Sequence, residues 1–179
     1  MRSILKFVPG FLACVLCLTS AWAADAPATF KVSEFTFQRP VAWGWVETTS
    51  SMRKAQLKVT DAKTKENAEV IFFYFGAGGG GGTKANVDRW LGQFQDASLP
   101  KSDEVTIGQT KVTYVQTEGT YLSGTPGGAK TPLTNYALLG AIVEGTEGSV
   151  FIKLTGPKAL VKSAAADFKK MVEGPLKKE

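Results

Sequence analysis

The sequence predicts an α+β domain: a largely antiparallel β-sheet flanked by two main helices. Three observations predict it. Most apolar residues beyond the N-terminal segment alternate with polar ones or gather in short β-forming runs, punctuated by Gly, Pro, Asn and Asp at hairpin spacing. Only two stretches, 83–97 and 157–173, repeat apolar residues every three or four positions instead. About eight strands joined mainly by hairpins, with two helices, give a sheet with helices packed on it rather than a parallel sheet of alternating strands and helices.

From Phe30 to Val46 the chain reads as two short strands. Phe35 and Phe37 alternate with Thr36 and Gln38, Arg39-Pro40 turns the chain, and Trp43-Gly44-Trp45 resumes the alternation. Met52 to Val59 alternates again, with Met52, Ala55, Leu57 and Val59 inward after a slip near Arg53. After the polar turn 61–67, the run Val70-Ile71-Phe72-Phe73-Tyr74-Phe75 suits a central strand covered on both faces. A glycine tract, residues 76–82 with Ala77 inside it, ends that strand as a mobile connection. Thr83 then caps a helix whose Val87, Trp90, Leu91 and Phe94 share one face. This helix is expected to run to about Ala97, closed by Pro100, with Trp90 and Phe94 packed on the strand 72–75.

Val105 and Ile107, then Gly108-Gln109, then Lys111 to Leu122 read as a hairpin, with Val112, Tyr114 and Val115 inward. Residues 123–130 form a loop. Tyr136 to Val143 and Val150 to Leu154 form another hairpin across 144–148. Thr155-Gly156-Pro157 starts the last helix with proline in its first turn. Its stripe is Leu160, Val161, Ala164, Ala165, Phe168, Met171 and Val172, lysines take the other face, and Gly174-Pro175 stops it.

The N-terminus reads as an export signal. Arg2 and Lys6 form a basic n-region, Phe7 to Leu18 is mostly apolar, and Ala21-Trp22-Ala23 is an A-x-A cleavage signature. The apolar core falls short of the about 20 residues that a membrane anchor needs. An uncleaved anchor and lipidation of Cys14 are the rival uses of this segment. The expected division is a cleavable signal peptide at 1–23, a flexible lead-in at 24–33, one domain at 34–174 and a charged tail at 175–179. Both cysteines, Cys14 and Cys17, lie in the leader, so a chain cleaved after Ala23 has none. The full chain carries +5. Without Arg2 and Lys6 the balance is 19 basic to 16 acidic residues, a mild +3. The lysines near the C-terminus have no aromatic residues interleaved among them, so they read as a solvated helix face and tail, not a nucleic-acid surface.

Three segments carry a likeness to a known fold: Phe35-x-Phe37-x-x-Pro40-x-x-Trp43, the aromatic strand before a Gly-rich turn and helix, and Phe151-Ile-Lys-Leu-Thr-Gly-Pro157 before the last helix. Their order resembles the PsbP-like fold, an antiparallel sheet sandwiched by helices. Phe73-Tyr74-Phe75-Gly76, Asn86-Val-Asp-Arg-Trp90-x-x-Gln93-Phe94 and Tyr136-x-Leu138-Leu-Gly-Ala-Ile-Val-Glu144 look like uncharacterised exported bacterial proteins. The resemblance implies an accessory or binding module and brings no activity with it.

Histidine is absent from the chain. That excludes Ser-His-Asp and Cys-His catalysis, imidazole acid–base work and the commonest metal ligand. Without mature cysteine, thiolate chemistry and zinc–thiolate sites go too. Ser-x-x-Lys occurs at Ser51–Lys54, in a strand, and at Ser98–Lys101, interrupted by Pro100, and neither places the amine one helical turn from the serine. The glycine tract satisfies G-x-G-x-x-G only as any glycine run does, and lacks a Gly-Lys-Ser/Thr ending. Asp103-Glu104, Glu144 with Glu147, and Glu66 with Glu69 sit in turn-like surroundings. Two candidate surfaces are left. One is the helix start at Gly82, Thr83 and Lys84, where unpaired N–H groups and the helix dipole favour an anion. The other is the pair Trp43 and Trp45, on one strand face, where core packing competes with a ligand groove. The reading is a periplasmic or secreted, non-catalytic accessory or binding domain. It needs no metal or cofactor, has a protein or small-ligand partner in the envelope, and has no nucleic-acid partner or integral membrane segment. The alternatives are an envelope enzyme using carboxylate, lysine or tyrosine groups and a structural envelope protein.

Overall fold

The structure, a computed structural model, describes residues 26–125 and 127–177. The leader and both cysteines lie outside the described residues. Within them the order is β1 (Thr29–Val32), β2 (Phe35–Gln38), β3 (Gly44–Val46), β4 (Arg53–Thr60), β5 (Asn67–Tyr74), α1 (Thr83–Leu91), β6 (Phe94–Ile107), β7 (Thr110–Ser123), β8 (Thr131–Gly145), β9 (Gly148–Pro157) and α2 (Lys158–Glu173), closed by a 3-10 turn at Gly174–Leu176. β3 to β9 form one seven-stranded sheet in the order β3-β4-β5-β9-β8-β7-β6, antiparallel throughout, and β1–β2 form a separate hairpin. The α+β architecture with two helices on a large antiparallel sheet is thus the one the sequence predicts. No helix among the described residues is long and apolar enough to cross a membrane.

The two faces of the sheet are covered unequally. On one, α2 and the β1–β2 hairpin enclose the main core, in which Phe37, Leu57, Val70, Phe72, Ile152, Leu154, Phe168 and Val172 are all buried. Phe72 sits between Phe30 and Phe37, with ring centroids 4.9 and 5.0 Å away. Each such large side chain contributes roughly 1.5–3 kcal/mol by leaving water. On the other face, α1 buries Val87 and Trp90 against Val115, Leu138, Ile142 and Phe151. At 1.5 Å per residue a helix of this length spans only about 13 Å, whereas seven strands at 4.8 Å spacing span about 29 Å. Much of this second face is therefore left without a helix over it.

Several local expectations are corrected. α1 stops at Leu91, not near Ala97: Gly92 is its C-cap and makes the last helical bond, to the Asp88 carbonyl at 2.9 Å, and the Gln93 N–H tightens to Trp90 at 3.2 Å as the chain leaves the helix. Phe94 instead opens β6, opposite Tyr121, yet still joins the Trp90 cluster. Trp90 shares its cluster with Phe73 of β5, as expected, but is not seated over Phe72. It covers Gly140 of β8, where a Cβ would stand 2.4 Å from the indole, and Phe72 faces the opposite side of the sheet. Pro100 closes no helix. It lies within the edge strand β6, where its missing N–H need break no ladder bond. Irregular pairing between Gln95 and Lys101, with φ of 50° at Asp96 and 54° at Leu99, distorts the same stretch.

Met52 precedes β4 and is 57% exposed, while Ala55, Leu57 and Val59 point inward after a shift in register between Arg53 and Ala55. β1 lies inside the stretch read as a lead-in, held there by the buried Phe30 and Val32, and Leu176 in the stretch read as a tail is buried too. Pro157 takes the N-cap position of α2 instead of its first turn.

Candidate functional site

Along β9, Ile152 and Leu154 turn into the main core, so Phe151, Lys153 and Thr155 point to the other face. On β5, Val70 and Phe72 face the main core, and Glu69, Ile71 and Phe73 share the face of Lys153. These side chains floor a cleft of about 780 Å³ beside α1. Arg89, Trp90 and Gln93 bound it at the helix side, Arg53 on β4 at another, and Tyr121, Tyr136 and the 123–125 loop along the far rim.

Lys153 is the feature that sets this cleft apart. It sits in the middle of the sheet, opposite Ile71 on one side and Gly140 on the other, and is only 9% exposed. Its Nζ donates to the Gln93 Oε1 and, at 3.3 Å, to the Tyr121 hydroxyl, and lies 4.9 Å from the centroid of the Tyr121 ring. An ammonium carries three donors, so one N–H remains for a ligand or water. Burial, reinforced by the Arg89 charge and opposed by Glu69, brings its pKa down to about 8. Burial likewise raises the Tyr121 hydroxyl, with Glu69 adding to the effect and Arg53 opposing it.

Charge and ring geometry complete the site. The charged residues lining the cleft are Arg53, Arg89, Lys153 and Glu69, a net +2 with the lysine protonated. Among the described residues none of the four belongs to an ion pair. Arg53 donates to Gln56 at 2.9 Å, and Gln56 donates to Glu69 at 3.4 Å. Arg89 donates to the Asn86 side-chain oxygen. The rings stand in stacked pairs: Tyr121 with Tyr136, 6.2 Å apart and 8° from parallel, and Phe73 with Phe75, 6.3 Å and 6°. The arrangement offers apolar walls with a few convergent polar groups, the usual composition of a small-ligand pocket.

The surfaces singled out from sequence lie elsewhere. Gly82 is the N-cap of α1 and makes no side-chain cap, and the Thr83 hydroxyl donates instead to Glu144 at 2.9 Å. Lys84 pairs with Asp88 at 2.6 Å. The glycine tract is tied to α1 by the buried Asn86, whose Nδ2 donates to the carbonyls of Gly80 and Gly82 at 2.8 and 3.0 Å. Gly80 has φ of 80°, and a Cβ there would meet the Phe151 and Phe75 rings within 2.8 Å. Trp43 is buried in the main core, and Trp45 leans on Phe30 at 5.4 Å with its indole N–H donated to Glu47 at 2.7 Å. Neither tryptophan lines the cleft. Sequence reasoning did not single out Lys153, although the signal was present: one charge inside the apolar run Val150-Phe151-Ile152-Lys153-Leu154.

No protein-family model matches the sequence, and neither does any curated protein. Among solved structures the chain is similar to cyanobacterial PsbP from Synechocystis sp. PCC 6803, with a TM-score of 0.52 and 11% identity over 86% of this chain and 95% of that one. It is also similar to a Pseudomonas aeruginosa protein of unknown function, with a TM-score of 0.49 and 14% identity over 84% and 96%. Together with the sheet and its helices, the first likeness shows that the chain has a PsbP-like fold, and fold is all it shows.

Proposed function

We propose that this protein is an exported accessory or binding domain, periplasmic or extracellular, whose ligand site is the cleft around Lys153. The observation that carries the reading is the cleft itself: an open, aromatic-walled cavity on the half-covered sheet face, with Lys153, Gln93 and Tyr121 converging on its floor. Export is supported by the basic, apolar and Ala21-x-Ala23 regions of the leader. The missing histidine and mature cysteine, and the accessory-type fold, favour binding over catalysis. The partner on this reading is a small molecule of the cell envelope.

Two measurements test it. Intact-mass analysis of the exported protein should give an N-terminus at Ala24 without lipid, and an acylated species or one retaining residues 1–23 would refute the processing. Small molecules extracted from the envelope fraction should shift the amides of β5 and β9 in NMR titration. Binding that moves only residues outside the cleft would refute the site.

A second reading, an envelope enzyme using lysine and tyrosine chemistry, draws on one observation. The buried amine of Lys153 is held 3.3 Å from the Tyr121 hydroxyl, the spacing of a proton-exchanging pair. Borohydride trapping of an aldehyde on Lys153, found by peptide mapping, would favour it, and an unmodified Lys153 would count against it.

A further inference from the structure

We infer that the ligand of this cleft is a small monoanion with a flat apolar body, an aromatic carboxylate in chemical class, whose carboxylate meets Lys153 and whose ring lies against the paired aromatic walls. This rests on the reading of the cleft as a ligand site and adds the chemistry of the occupant.

The charge argument comes first. A buried cation is costly unless a counter-charge is supplied. Lys153 has neutral partners in Gln93 and Tyr121 but no ion-pair partner among the described residues. Elsewhere the fold does pair its carboxylates with lysines: Glu118 holds Lys158 and Lys162, at 2.7 and 2.9 Å, and Glu173 holds Lys177 at 2.9 Å. The single acid in the cleft, Glu69, engages Gln56 and makes no ion pair. Three cations against one carboxylate leave an uncompensated positive floor, while the remaining Lys153 N–H makes one charge-assisted bond to an acceptor. One carboxylate supplies that acceptor and a counter-charge for Lys153, and brings the net charge of the cleft from +2 to +1.

The shape argument is independent of charge. Tyr121 with Tyr136 and Phe73 with Phe75 each form a nearly parallel, stacked pair, and these pairs lie on opposite sides of Lys153, on β7–β8 and at β5. Rings prefer offset-stacked or edge-on contacts with other rings. A planar body therefore makes more of these walls than a flexible chain, which would also lose rotamer entropy on binding.

Isothermal titration calorimetry on the purified protein at pH 7 tests the inference with four probes: 2-naphthoate, the neutral 2-naphthamide, decanoate and inorganic phosphate. The expected result is saturable binding of 2-naphthoate, at least tenfold tighter than 2-naphthamide, with decanoate weaker and phosphate silent. Lys153→Met should abolish the preference for naphthoate over naphthamide while still binding the amide. Arg53→Gln, a peripheral change, should narrow the preference in the same direction and covers the case in which the first variant fails to fold. If naphthamide binds as well as naphthoate, the anion is wrong and the cleft reading stands. If decanoate binds more tightly than naphthoate, the flat body is wrong. If no probe binds, both the ligand class and the cleft reading are overturned.

Discussion

Replacing Lys153 with methionine keeps the length of the side chain and removes its charge. In the folded protein burial, with Arg89 adding to it and Glu69 opposing it, brings the ammonium to about 8, against about 10.4 in an unfolded chain. The gap corresponds to about 3 kcal/mol of preference for the neutral amine in the fold. Because the folded pKa is the lower one, the unfolded chain binds more protons between pH 8 and 10.4. Stability therefore rises with pH across that window, and the full cost is carried below pH 8. The Tyr121 hydroxyl beside Lys153 does not reverse this, since burial raises it as well. The variant gives up the bonds to Gln93 and Tyr121, which come from a charged donor and are each worth about 1.5–3 kcal/mol. Cost and gain thus nearly cancel at pH 7, and Lys153→Met is expected to leave stability there unchanged or to lower it by up to about 3 kcal/mol. Urea denaturation of both proteins at pH 7 and 9.5 checks it. The parent should gain on the variant as the pH rises. A difference between the two that is the same at pH 7 and pH 9.5 would refute the claim that this lysine is held at an energetic cost.

Three further outcomes are expected. Trp90→Ala should cost about 3–5 kcal/mol in urea denaturation, because the indole fills the space over Gly140, and a loss under about 0.5 kcal/mol would mean that the cluster under α1 is not packed. Glu118 is held below the usual carboxylate range by Lys158 and Lys162. Its contribution is present above the unfolded pKa and lost as pH falls through the folded one, so Glu118→Gln should lower the melting temperature at pH 7 and flatten the acid limb of the stability curve; an unchanged acid limb would show the pairing to be idle. Phosphate titration should leave the amides of residues 78–88 still, since Glu144 accepts from Thr83 and Asp88 pairs with Lys84, whereas saturable shifts there, weakened in Lys84→Ala, would restore an anion site at Gly82–Lys84.

The sheet was legible because its evidence is local. Alternation at Ala55, Leu57 and Val59, the continuous run at 70–75 and the turn residues at 108–109 each mark a strand without knowledge of its neighbours. The end of α1 was not, because Phe94 stands at i+7 from Val87 whether the chain stays helical or crosses into β6, and either path delivers it to the same cluster. The cleft was harder still. It depends on which strands become neighbours, above all the lodging of β9 beside β5, which brings Lys153 into line with Ile71 and within reach of Gln93, 60 residues earlier. Trp43 and Trp45 drew attention for their size, yet residues of that size normally serve the core, and Trp43 does. A charge inside an apolar strand was the more informative anomaly.

The place of β9 has a consequence for how the chain is handled before it is folded. β3, β4 and β5 form one three-stranded piece and β6, β7 and β8 another, and they share no edge until β9 enters between them. The residues that do this, Gly148 to Pro157, belong to the last fifth of the sequence. Until they emerge, both pieces expose unpaired strand edges and an apolar face that α2, later still, will cover. Such a chain has no stable half-way house: closure waits on contacts of high sequence separation, and the native sheet forms late or not at all. On the proposed reading of an exported protein, a chain threaded unfolded through a narrow channel would gain from this delay, because little made early would resist the passage.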